Sequence, residues 1–263
     1  MDARLRHLFA VMLLILPQGT ALLSQARVGL DAWYNHEISK TTGQSYHYLW
    51  TDTAMSGFSR WGEIFRSQGA VTEQEEKAPT SSTFNKLDIY IIVDPDTTSE
   101  NPSPHYITSR DARIIERWVR KGGVLVLMGN DALNCEFTHL NRLSGRFGIL
   151  FNHVTLHRVT GNDPETAASG NLPGHPVFQG VNKIFMKEVS SLSLKPPAKA
   201  VLTEKGSVLM AESRIGKGMV FAIGDPWIYN EYIDNERLPR DINNRQAAAN
   251  FTHYLIGHIR KQR

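Results

Sequence analysis

"LDIYIIVDPD" (Leu87–Asp96) and "VLVLMGND" (Val124–Asp131) are the two stretches that decide the fold. Each is an apolar run of strand length that stops abruptly in acidic and turn-forming residues. A near-continuous apolar strand is buried on both faces, as in a parallel sheet covered by helices. Between the two runs lies "TSRDARIIERWVRKGG" (Thr108–Gly123), with Ile114, Ile115, Trp118 and Val119 on one helical stripe. Thr108 or Ser109 is its expected cap, Asp111 suits its first turn, and Lys121-Gly122 its end. Upstream, "VGLDAW" (Val28–Trp33) reads as a first buried strand. "GFSRWGEIFRSQG" (Gly57–Gly69) then puts Phe58, Trp61, Ile64 and Phe65 on one helical face, with Ser56 as the expected cap and Gly69 as the stop. Downstream, a helix is expected over 137–146, with Phe137, Leu140 and Leu143 inward. After Gly148 the strands shorten. Val208–Ser213 and Val220–Gly224 are joined by the Gly216-Lys217-Gly218 turn, and a final helix carries Ala248, Phe251, Leu255 and Ile259 on one side. The alternation of strand and helix predicts an α/β domain: a doubly wound, mainly parallel sheet with helices on both faces.

The chain opens MDARLRHLFAVMLLILPQGTALLSQA. A basic start, an apolar run from Leu8 to Leu16 and small residues at Ser24 and Ala26 read as a secretory leader over residues 1–26. A single domain over 27–263 is then expected, periplasmic or secreted, with no membrane segment once the leader is removed. Lys and Arg number 29 against 26 Asp and Glu, a balance that argues against a nucleic-acid partner. The one cysteine, Cys135, excludes an intrachain disulfide and a cysteine-built zinc site.

Four expected strands end in unusual polar sequence: "YNHE" (Tyr34–Glu37), "DPDT" (Asp94–Thr97), "GND" (Gly129–Asp131) and "GDPWIYNEY" (Gly224–Tyr232). In an open parallel sheet, ligands bind at the carboxyl ends of the strands. Asp, Asn, Pro and Gly are also ordinary turn residues, but four such clusters on one edge outline a site. Asn35, Glu37, Asp94, Asn130, Tyr229 and Asn230 are its candidate contacts. Trp50 and Trp227, with the neighbouring tyrosines, are candidate stacking surfaces for a carbohydrate, although both can equally pack the loops down. Cys135 lacks the small flanking residues of a nucleophile elbow. Glu136 and His139, three apart, share a helical face and with Asp131 can serve as acid, base or metal ligands, but no tight metal spacing is present. No metal or cofactor is expected. His47, between two tyrosines in "SYHYLWTD", and Arg158 in "LHRVTGN", a candidate partner for a substrate carboxylate, complete the set.

"LDIYIIVDPD", "WVRKGGVLVLMGND", "GHPVFQGV" and "RIGKGMVFAIGDPWIYNEY" together resemble the class I glutamine-amidotransferase-like superfamily, in its trehalose-utilisation-protein-like branch. More narrowly, they look like a domain also found attached to unsaturated rhamnogalacturonyl (glycuronyl) hydrolases. The resemblance implies a flavodoxin-like fold. It does not bring the amidotransferase triad, because G-x-C-x-G is absent and no H-x-E pair follows a late strand. The link to glycuronyl hydrolases implies a uronate-containing oligosaccharide as substrate, and a dehydratase that creates the 4,5-unsaturated end those hydrolases need. His47 or Tyr48 is then the candidate base and Asp131 or Glu136 the candidate acid. Asn130, Arg158 or Asn230 would hold the carboxylate. Two alternatives stand beside this reading: a non-catalytic carbohydrate-binding module, and a metal-dependent hydrolase using Asp94, Asp131, Glu136 and His139.

Overall fold

A computed structural model describes residues 25–262. The expected leader, 1–26, therefore lies outside the described residues except for Gln25 and Ala26. Nine strands form one sheet: β1 (Arg27–Asp31), β2 (Val71–Glu75), β3 (Ile89–Val93), β4 (Val124–Met128), β5 (Ile149–Phe151), β6 (Leu192–Leu194), β7 (Lys199–Glu204), β8 (Ser207–Ile215) and β9 (Gly218–Ile223). The sheet order is β2-β1-β3-β4-β9-β8-β6-β5, with β7 pairing on β8. Strands β2, β1, β3, β4 and β9 run parallel, and the pairings beyond β9 are antiparallel. Counted along the chain, the parallel strands lie in the order 2-1-3-4-5, the flavodoxin-like arrangement. The expected α/β class is what the structure has.

The helices are α1 (Ser59–Ser67), α2 (Ser81–Phe84), α3 (Ser109–Lys121), α4 (Phe137–Ser144) and α5 (Asn244–Arg260). Strand side chains alternate between the two faces, which explains the unbroken apolar runs. Ile89, Ile91 and Val93 pack in one core with Phe58, Trp61 and Phe65 of the α1 region and Phe251 and Leu255 of α5. Tyr90 and Ile92 pack in the other, with Ile115 and Trp118 of α3 and Leu140 and Leu143 of α4. Strands β4 and β9 divide the same way. Each central strand therefore needs apolar residues at every position.

Three local expectations are corrected. The edge strand β2 has no counterpart in the sequence pattern, because "VTEQE" is polar and only half-buried. Its sheet position comes from pairing with β1, not from burial. The residue before α1 is Phe58, not Ser56, and it makes no side-chain cap; the helix is held by its buried aromatic face instead. Helix α4 ends at Ser144 and tightens into one 3₁₀ turn, Gly145–Phe147. By contrast, α3 begins as its sequence indicates, with a reciprocal Thr108–Asp111 capping box.

Glycine is required at Gly218. A Cβ there would lie 1.9 Å from the Val119 carbonyl oxygen, so the end of α3 and the start of β9 touch only without a side chain. Gly257, inside α5, is the opposite case, since a Cβ there would meet nothing within 4 Å. Gly218→Ala should lower the unfolding free energy by roughly 1–3 kcal/mol through forced backbone displacement. Gly257→Ala should leave it unchanged or raise it by up to about 1 kcal/mol through reduced chain entropy. Urea unfolding of both variants checks the contrast; equal effects would contradict this packing.

Candidate functional site at the carboxyl edge of the sheet

The strand order reverses between β1 and β3, and the two connections leave in opposite directions. Such a switch point opens a crevice at the carboxyl ends of the strands. Asp94, the residue immediately after β3, lies there, fully buried, with a left-handed φ of 43°. Its neighbours come from every parallel strand end except that of the outer β2. Asn35, after β1, donates its side-chain amide to the Asp94 carbonyl oxygen at 2.8 Å. Asn130, after β4, donates to Asp94 Oδ2 at 2.7 Å, and the Tyr48 hydroxyl donates to the same oxygen at 2.9 Å. Tyr229, after β9, meets the Tyr48 hydroxyl at 3.1 Å, with the two rings stacked at 5.5 Å. Among the described residues, Asp94 Oδ1 has no partner.

Burial pushes the Asp94 carboxyl well above the usual carboxylate range. Glu100 pushes it further, against the lowering effect of the Asn130 and Tyr48 hydrogen bonds. Two donors on Oδ2 leave the proton on Oδ1. The upward direction favours the protonated carboxyl, whose proton then falls on Oδ1, the oxygen with no partner among the described residues. A non-glycine residue in the left-handed region costs of order 1–3 kcal/mol and persists where its surroundings over-determine it. His47 (φ 65°) and Tyr48 (φ 52°) share that region of the backbone map.

Beside this centre is a second pair. Glu37, buried, accepts from His47 Nδ1 at 2.6 Å and from the Tyr46 hydroxyl at 2.9 Å. Burial pushes Glu37 up, but hydrogen bonding and electrostatic attraction from His47, with the Tyr46 hydrogen bond, outweigh it, and its carboxyl sits below the ordinary value. A carboxylate only accepts, so Nδ1 of His47 carries a hydrogen and Nε2 is left for other chemistry. Burial, and then the nearby Glu37, raises Asp96, and burial, then Glu37 and Asp96, raises Glu100. The Asp96 carboxylate also takes the His36 backbone N–H at 3.0 Å and the Asn101 amide at 2.7 Å, which fixes the loop after β1.

The remaining expected residues divide sharply. Trp227 is completely buried and Trp50 is 7% exposed, its indole N–H donating to the Glu73 carbonyl. Both pack the core, so neither offers a face to a sugar. Asn230 clamps the Thr53 carbonyl at 2.6 Å and is spent on holding a loop. Asp131 accepts from Leu133 N–H at 2.7 Å and the Asn134 amide at 2.6 Å, closing its own turn. Glu136 caps α4 through Thr138 and His139 N–H groups and pairs with the His139 ring at 2.9 Å. Arg158 is exposed and takes no part in the Asp94 network. Burial, then Asp94, pushes the Cys135 thiol well up, a direction that disfavours the thiolate a nucleophile needs. Among the described residues no group of three or more His, Cys, Asp or Glu is arranged to hold a metal ion.

Partly exposed aromatic rings do exist on this edge, elsewhere than expected. Trp33 stacks on His105 at 3.5 Å, and Tyr106, 38% exposed, stacks on His139 at 4.4 Å. A cavity of about 400 Å³ lies alongside, lined by Thr97, Cys135, Glu136, Phe137 and His153 among others. Asp225, buried directly after β9, is pushed well up by burial against the pull of Lys187, and Glu231 is pushed up to about 7, chiefly by burial. The motifs "DPDT" and "GDPW" mark the right strand ends but do not single out Asp96 and Asp225 within them. Glu100 and the Trp33–His105 pair carry no local signal either, since no pattern distinguishes them from loop residues.

No family model matches the chain, and no curated protein matches it in sequence. Solved structures do match its fold. A chain titled mmIFT52 N-terminal domain aligns with TM-score 0.66 at 15% identity, over 88% of this chain and 97% of that one. Cytoplasmic protein STM1381 from Salmonella typhimurium LT2 aligns with TM-score 0.57 at 14% identity, over 89% and 99%. A putative GMP synthase subunit from Thermoplasma acidophilum aligns with TM-score 0.50 at 9% identity, over 91% and 98%. At these identities the likeness is one of fold alone. It agrees, coarsely, with an amidotransferase-like α/β architecture.

Asp31, under the same edge, is buried, accepts from the Tyr90 hydroxyl and from Tyr34 N–H, and is pushed up to about 7 by burial. Unfolded aspartate releases its proton near pH 4. Below about pH 4 both states are protonated and Asp31 contributes fully. From about pH 4 to 7 the folded state holds more protons, so stability falls as pH rises. Urea unfolding across that window should show this decline, with Asp31 accounting for on the order of 4 kcal/mol. Asp31→Asn should flatten the slope by about one proton; an unchanged slope would count against the buried, protonated Asp31.

Proposed function

We propose that the chain is an acid–base enzyme acting on saccharides, and that its reaction is the elimination of water from a uronate-ended oligosaccharide. The supporting observation is the juxtaposition of two groups of opposite function. His47, oriented by ionised Glu37, has a ring nitrogen left for taking a proton. Asp94, held neutral beside Tyr48, has a proton to give. In the elimination the base removes the C5 proton, and that electron pair forms the C4=C5 bond. The C4–O bond breaks, and the departing hydroxide takes the acid's proton to leave as water. The general-acid role thus moves from Asp131 or Glu136, both committed to local turns and caps, to Asp94 and Tyr48.

The carboxylate of a uronate would meet no charged arginine here. Acidic neighbours Glu37, Asp96 and Glu100 surround the edge, and repulsion disfavours an anion unless it is received by a neutral O–H. The Tyr229 hydroxyl, turned from Tyr48 towards the ligand, supplies such a donor, and a carboxylate hydrogen-bonded to it is less charged, which acidifies the C5 proton. The exposed Tyr106 ring and the partly exposed Trp33–His105 stack suit the C–H faces of a sugar ring. The narrower resemblance to the domain attached to glycuronyl hydrolases agrees with this substrate class, and the leader-like N-terminus with a periplasmic or secreted setting. One observation favours the second reading, a carbohydrate-binding module: Asp94 Oδ1 is closed to solvent. Catalysis therefore requires the His47-Tyr48 segment to shift as ligand enters.

The test is incubation with oligosaccharides ending in a saturated uronate. Turnover should create a conjugated double bond absorbing in the near ultraviolet. His47→Ala should reduce the rate by roughly 10²–10⁴-fold, and Glu37→Gln by a smaller factor with the fold intact. Saturable binding without new absorbance would leave the binding module as the function; neither signal would remove the saccharide reading.

A further inference from the structure

We infer that the chain carries a second ligand site, on the sheet edge opposite Asp94, that binds a small organic ester bearing a tetrahedral oxyanion, phosphate or sulfate. A cavity of about 310 Å³ lies between the end of β8, the turn at Pro176 and the last turns of α5. Arg214, His253, His258 and Lys261 line it; among the described residues no aspartate or glutamate does, although Glu212 lies behind, accepting from the lining Tyr254 hydroxyl at 2.5 Å. Arg214 pairs in register with Met219 at the beginning of β9. The cavity therefore sits by the amino edge of the parallel strands, whereas Asp94 and Tyr229 follow their carboxyl ends. The inference does not rest on the saccharide reading of that other edge.

The polar side chains are arranged rather than scattered: Arg214 and Lys261 are the cations, and His258, whose Nδ1 accepts from Arg214 and which burial pushes below its ordinary value, is an orienting partner. Tyr254, His258 and Lys261 are spaced four and three apart on α5 and share one face. The Arg214 guanidinium donates to the Tyr254 hydroxyl at 2.9 Å and to His258 Nδ1 at 3.3 Å, while its Nε lies 3.6 Å from Glu212. These contacts hold the planar donor group in one orientation, which suits an oxyanion better than a free side chain would. Glu212 offsets part of the Arg214 charge from the side, and Lys261 restores the positive balance within the cavity. The carbonyl end of α5 opposes an anion, so the flanking cations are needed for binding at all.

Gly257 gives the second, independent observation. It lines the cavity in the interior of a helix, where glycine costs about 1 kcal/mol relative to alanine. Nothing within 4 Å of its position requires the missing side chain. What the glycine does is keep the cavity open and bring helix backbone, with Pro176 and the Tyr254 ring, to form a wall for the organic part of a ligand.

Calorimetric titration of the whole chain with a hexose 6-phosphate, a hexose 6-sulfate and the free hexose, at low salt, tests the site. At least one ester should bind saturably, about tenfold or more tighter than the free hexose, and added salt should weaken it. Whichever ester binds more tightly identifies the oxyanion. Gly257→Leu, which fills the space without altering charge, and Lys261→Gln should each weaken binding about tenfold or more while urea stability is retained. His47→Ala should leave ester binding unchanged, which separates this site from the other. Absence of saturable ester binding, equal binding of the free hexose, or binding that survives both Gly257→Leu and Lys261→Gln would overturn the inference.

Discussion

The buried carboxyl of Asp94 is the constraint on which the carboxyl edge of this molecule depends. Burying a charged carboxylate there without a counter-ion is costly, and none is supplied among the described residues, so burial pushes the group well up and favours its protonated form. Neutral Asp94 then acts as a hub. Its backbone carbonyl takes the loop after β1 through Asn35, its Oδ2 takes the loop after β4 through Asn130, and Tyr48 links it to Tyr229 after β9. Removing the hub would leave several buried amide and hydroxyl donors without acceptors, and each such loss is costlier than the bond was worth. The left-handed backbone of Asp94, His47 and Tyr48 is held by the same network.

Electrostatics sort the edge into two halves. One is a closed polar centre of neutral acids and tyrosines, in which burial raises Asp94, Tyr48 and Tyr229 together. The other is the partly exposed Glu37–His47 pair, in which hydrogen bonding overcomes burial and keeps the carboxylate charged. Environments that push neighbouring titratable groups apart are how one site holds both a proton donor and a proton acceptor near neutral pH. That separation is a property of the assembled loops, since the same residue type, a carboxylic acid, stands at the centre of both halves.

The shared fold carries little information about chemistry. Structures that align over nearly the whole chain include the mmIFT52 N-terminal domain, a Salmonella cytoplasmic protein and a putative GMP synthase subunit. Chemistry is carried instead by the side chains at the strand ends, where Asp94, Tyr48 and Asn130 are joined at the reversal of the sheet order.

The sequence by itself determined the α/β class, the central strands, the α3 capping box and the strand-end clusters that meet at one edge. Periodicity and apolar runs reflect burial on two sheet faces, and that requirement acts residue by residue along the chain. It left β2 unseen because an edge strand is selected by a neighbour's backbone rather than by burial. Only the tertiary structure decided that Trp50 and Trp227 are core, that Asp131, Glu136 and Asn230 serve turns, caps and loops, and that Asp94 is the protonated centre. A side chain's exposure, and the number of charges and donors that surround it, depend on residues 36 to 181 positions away in the chain. No local pattern encodes those distances; the fold creates them by bringing the strand ends together.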